Sequence, residues 1–181
     1  MGTLFRNIYS WLRSFYGDNL YNFLKGLDCD LQSGGPNRFL IIGLITLGIA
    51  ALMCCLFYFV KRGRFNSFVS WIVVLAATAV FSFAYGFGHS YSLQNEMPAY
   101  VIYGIDNVQC VQEPCDCFTL SPYDDAQPQV TTTTFLLFGF ANAIIAIGMF
   151  IILSIILKRF STTAKHTPWK SLWPKQIKKN E

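Results

Sequence analysis

Three long runs without a charged side chain dominate the polarity pattern: Phe39–Val60, Phe68 to about Gly88, and Phe135–Leu157. At 1.5 Å of rise per residue, each covers a hydrocarbon layer about 30 Å thick. Backbone amides in lipid have no water to bond, so such runs fold as helices. The pattern therefore predicts an all-α membrane protein with three transmembrane helices. Its segments are an outer helical part (1–37), helix one (38–60), a link (61–67), helix two (68–88), an outer loop (89–134), helix three (135–157) and a tail (158–181).

Composition supports this and charge orients it. Only 13% of the 181 residues are charged, against about a quarter in a soluble domain. The link holds Lys61, Arg62 and Arg64 with no acid, and the tail holds Lys158, Arg159, Lys165, Lys170, Lys175, Lys178 and Lys179 against Glu181. The 89–134 loop has no Lys or Arg but carries Glu96, Asp106, Glu113, Asp116, Asp124 and Asp125. Basic residues collect on the cytoplasmic side, which predicts an outer N-terminus and loop and a cytoplasmic tail.

That orientation puts Cys29, Cys110, Cys115 and Cys117 outside, leaving Cys54 and Cys55 within helix one. An even number of cysteines in an oxidising compartment predicts disulfides, with three pairings open. Cys115 and Cys117 are too close in sequence to bridge each other without strain, so Cys29 is expected to tie the N-terminal segment to the loop. With no Asn-x-Ser/Thr sequon present, the bacterial cytoplasmic (inner) membrane is the expected location.

Within the outer part, Leu4, Ile8, Trp11, Leu12 and Phe15 recur at helical spacing over residues 3–16, while Arg6, Asn7, Ser10, Arg13 and Ser14 fall elsewhere. This is the composition of an amphipathic helix lying in the membrane interface. Arg6 and Arg13 interrupt the run and no small-residue cleavage pattern follows, so no cleavable signal is expected. Asp18 or Asn19 is placed to cap a second short helix carrying Leu20, Phe23, Leu24 and Leu27. Ser33–Asn37 reads as a turn. In the loop, Ala99–Tyr103 and Asn107–Val111 read as strands of a small disulfide-stapled hairpin, and Thr131–Thr134 as an extended lead-in to helix three.

Inside the apolar runs the chemistry is sparse. Asn142 is the most polar side chain, with Thr46, Ser70, Thr78, Ser82 and Ser154 as lesser ones, and the expected role of Asn142 is a hydrogen bond between helices. Small residues four apart mark expected helix contacts: Ser82 with Gly86, Ala84 with Gly88, and Gly139 with Ala143. Trp11, Trp71, Trp169 and Trp173 are the expected interface anchors. His89 and His166 fall on opposite sides, and no nucleotide-binding or hydrolase motif occurs. Cys110, Cys115, Asp116 and Cys117 with His89 lack the C-x-x-C pair of a metal site.

These features predict no catalytic residue, no cofactor, no metal, no small-molecule substrate and no nucleic-acid partner. The expected partners are the lipid bilayer and membrane or envelope proteins, or further copies of the chain. A non-enzymatic accessory or anchoring subunit of an envelope assembly fits them best. A self-associating, membrane-perturbing or pore-forming effector is the alternative. A membrane thiol–disulfide redox protein comes third, since its C-x-x-C pair is missing.

Overall fold

The computed structural model describes residues 2–27, 35–59, 68–103 and 128–158. These are helical throughout their regular parts, with no strand among them. Three short helices come first, α1 (Gly2–Ser10), α2 (Arg13–Tyr16) and α3 (Asp18–Lys25). The long helices are α4 (Arg38–Phe59), α5 (Phe68–Ser92) and α7 (Thr132–Lys158), with a 3-10 turn (Gln94–Glu96) and the single-turn helix α6 (Ala99–Ile102) between the last two. By length and composition α4, α5 and α7 can each cross a membrane.

The three long helices form one bundle in which α7 is central, packing most extensively on α5 and next on α4. Their outward residues are large and apolar on α4 (Ile41, Leu44, Leu52, Leu56) and on α7 (Leu136, Phe140, Ile144, Ile152). Helix α5 has the least of its span covered by the rest of the chain, 17% against 33% for α4 and 39% for α7.

Helices α1–α3 cap the end of the bundle where α4 and α7 begin and α5 ends. Phe5 seats its ring on Gly43 of α4, where a Cβ would collide with it. Tyr9 stacks on Phe39 (5.0 Å) and Phe138 (5.8 Å), and Tyr16 meets Phe138 edge-on at 5.0 Å. Gly26 ends α3 in the left-handed conformation at φ 82°. Its missing Cβ lets the backbone of Gly35 lie against it, with Gly35 N–H donating to Gly26 O at 2.9 Å. Arg38 lies over Phe23 at 4.1 Å and reaches Glu96 at 3.5 Å, tying α3, α4 and the 3-10 turn together.

Several local expectations change. The helix expected over 3–16 breaks at Trp11–Leu12, because Tyr9 O accepts from Leu12 N–H (3.1 Å) and from the Tyr16 hydroxyl (3.0 Å). Its packed side is Phe5, Tyr9 and Tyr16, while Leu4, Trp11 and Phe15 stay exposed. Asp18 opens α3 without a side-chain cap, its carboxylate being paired with Arg13 instead. Ala99–Tyr103 is a helical turn and not a strand: Val101 and Ile102 N–H both donate to Pro98 O (3.0 and 3.3 Å), and Val101 is buried. Burial of one face outweighs the β-preference of the Val-Ile pair.

The second span runs four residues past Gly88, which places His89 inside the helix. Thr132–Thr134 are helical and not extended, since Thr131 O accepts from Thr134 N–H (2.9 Å) and Phe135 N–H (3.3 Å). The expected strand at 107–111, Val60, the 61–67 link and the tail with Trp169 and Trp173 lie outside the described residues.

Candidate functional site

Polar groups are costly in an apolar bundle unless they bond one another, and in this chain they gather at two junctions. The larger one is centred on Asn142, fully buried ten residues into α7. Its Oδ1 accepts from the Tyr9 hydroxyl of α1 and from Thr46 Oγ1 of α4 at 2.9 Å. The Thr46 proton is shared with Ile42 O at 2.8 Å. Asn142 Nδ2 donates to Ser82 O of α5 at 2.7 Å. One amide side chain thus joins four elements.

The approach to α5 depends on Gly86. A Cβ there would fall 2.8 Å from Asn142 Cβ and 2.9 Å from Nδ2, closer than side-chain atoms pack. Asn142 and Thr46 lie about 15 and 12 Å along their helices from the capped end. Tyr9 therefore carries a phenol from the cap well into the bundle. Burial holds the Tyr9 and Tyr16 phenols above their ordinary pKa.

The second junction is Ser154 of α7. Its Oγ lies 2.6 Å from the Tyr58 hydroxyl of α4 and accepts from Trp71 Nε1 of α5 at 2.9 Å. Its two partners, Tyr58 and Trp71, belong to one apolar cluster with Ala50, Cys54 and Phe150. Trp71 is thus buried inside the bundle. Trp11 is 88% exposed at the break between α1 and α2.

Small residues divide into two groups. Ser82, Gly86, Gly139 and Ala143 face the interior; a Cβ on Gly139 would meet Phe83 and Phe87 at 3.0 Å. Ala84 and Gly88 face outward, and nothing lies within 4 Å of where a Gly88 Cβ would be. Cys54 is buried and Cys55 exposed, both as free thiols. Cys29, Cys110, Cys115 and Cys117 lie outside the described residues. Among the described residues no group of three metal-ligating side chains converges.

The Tyr9 contribution was missed because two apolar stripes overlap in the N-terminal segment. Phe5, Tyr9, Leu12 and Tyr16 repeat at the same helical interval as Leu4, Ile8, Trp11 and Phe15, one residue out of phase. The signal that separates them is the pair of tyrosine hydroxyls, which need buried partners when the ring is packed. Gly43, opposite Phe5, is its counterpart in α4.

What the arrangement can do is hold helices together. Comparison of the chain with protein-family models, with curated proteins and with solved structures finds no match.

Proposed function

We propose that this chain is a non-enzymatic integral membrane protein that serves as an accessory or anchoring subunit of a larger envelope assembly. The observation that carries this reading is the outward flank of α5. This is the least covered of the three spans, and beside the exposed Val80 and Phe81 it presents Ala84 and Gly88 one helical turn apart. Small residues let helix backbones approach closely in lipid, so the partner placed there is a transmembrane helix of another subunit. The polar groups of Asn142, Thr46 and Ser154 are turned inward to one another, which leaves the sides of the bundle apolar, as suits contact with lipid and with an apolar partner helix.

In this reading the capped end faces outward, the tail is cytoplasmic, and the host membrane is a bacterial inner membrane. The basic link and tail support that orientation. Cys29 and the loop cysteines form disulfides on the outer side. Trp11, Leu4 and Phe15 on the exposed side of the cap rest in the outer interface, where indole rings partition.

The test is purification of the tagged full chain from its native membrane in mild detergent. The expected result is a membrane protein co-purifying in fixed stoichiometry, lost in Gly88→Leu and kept in Gly48→Leu on α4. A homo-oligomer that conducts ions in planar bilayers would overturn this reading in favour of the pore.

A further inference from the structure

Three polar groups beside Asn142 are left over once the protein's own hydrogen bonds are counted. Ser82 Oγ belongs to a residue with no exposed surface, and it has no hydrogen-bond partner among the described residues. The Tyr85 hydroxyl, three residues on and on the same side of α5, is also buried without one. Asn142 Nδ2 has two protons and gives one to Ser82 O. Buried hydroxyls in folded proteins are almost always bonded to protein or to ordered water. Ser82 and Tyr85 lie within one turn of α5, on the side where Asn142 Nδ2 meets Ser82 O. The Tyr85 phenol also lies near enough to Tyr9 to contribute to the upward shift of its pKa, after burial itself.

We infer that the Asn142 junction is a hydration site that holds bound water on Ser82 Oγ and the Tyr85 hydroxyl. Water suits the groups: a buried molecule typically makes about three hydrogen bonds to polar atoms that would otherwise be unpaired. On the α5 side it completes what Thr46 and Tyr9 do on the α4 and α1 sides. The dry alternative is that Ser82 turns its hydroxyl onto the carbonyl four residues back, as Thr78 does onto Val74 O at 2.8 Å, and that Tyr85 stays unbonded. This inference does not depend on the proposed subunit role.

Infrared spectroscopy of the full chain in phosphatidylcholine vesicles, in ordinary and in ¹⁸O-water, tests it. The expected result is a band of strongly bonded internal water that shifts with the oxygen isotope and disappears in the Ser82→Ala/Tyr85→Phe double variant. An isotope-insensitive, unbonded phenol O–H stretch that disappears in Tyr85→Phe, with no such water band, would overturn the inference. Thermal unfolding in detergent gives a second reading in case the double variant folds poorly. Tyr85→Phe is expected to lower the melting temperature by a few degrees if its hydroxyl bonds water. An unchanged or higher melting temperature counts against the site, because deleting an unpaired hydroxyl costs nothing.

Discussion

Tyr9 and Asn142, 133 residues apart in sequence, share a buried hydrogen bond that joins the N-terminal cap to the central helix of the bundle. Asn142→Ala takes from the Tyr9 hydroxyl its Asn142 acceptor and frees α5 from α7 at Ser82. A loss of about 1–3 kcal/mol is expected, read as a lower melting temperature in detergent. Tyr9→Phe should cost about 1 kcal/mol. Because the two residues touch, the double variant should lose less than the sum of the single ones.

Gly86 and Gly88 are two residues apart and should respond in opposite ways. Gly86→Ala forces a methyl against Asn142, at 2.8 Å from its Cβ, and an overpacking loss of about 1–3 kcal/mol is expected. Gly88→Ala meets open space, so the melting temperature of the isolated chain should stay within the range of a surface change, about ±0.5 kcal/mol. Equal losses at both positions would mean that α5 is rotated from the orientation described.

Ser154→Ala removes the acceptor of Trp71 Nε1 and a hydrogen bond to the Tyr58 hydroxyl in one step. A loss of about 1 kcal/mol is expected for the buried indole N–H that loses its acceptor. The fluorescence attributable to Trp71, taken as the difference from Trp71→Phe, should change in wavelength. An unchanged spectrum would show that the indole keeps another partner.

Alkaline pH should loosen the cap. In the folded protein Tyr9 and Tyr16 keep their protons above the ordinary phenol pKa of 10.0, chiefly through burial. The unfolded chain ionises at that ordinary value, so it gives up protons that the folded chain retains. Stability from these groups is complete below about pH 10 and falls as pH rises beyond it. Melting temperatures from pH 8 to 11 should follow that course, and Tyr9→Phe should flatten the slope.

The orientation can be checked on intact cells. A cysteine placed in the tail by Ser171→Cys should react with an impermeant maleimide only after the membrane is opened. After mild reduction, a thiol in the 89–134 loop should react without opening it. Labelling of the tail from outside would reverse the topology and with it the disulfide expectation.

The three spans were legible in the sequence because the penalty for charge in lipid is large and local. A run of about twenty apolar residues needs no partner to be identified. Asn142 stood out for the same reason, as the one amide in such a run. Its partners did not. Tyr9 lay in a segment with two equal apolar stripes, and hydropathy gave no ground for preferring the one that packs. Ala84–Gly88 and Ser82–Gly86 have the same spacing, one residue pair facing outward and the other facing α7, and only helix rotation tells them apart.

Sequence by itself therefore determined the number of spans and the charge asymmetry behind their expected orientation. Both follow from the transfer of single residues between water and lipid. The tertiary structure decided which face of each helix turns inward, where the N-terminal segment breaks, and that Asn142 binds four elements at once. Those outcomes depend on pairs of groups distant in the chain, and no residue specifies its half of a pair without the other in place.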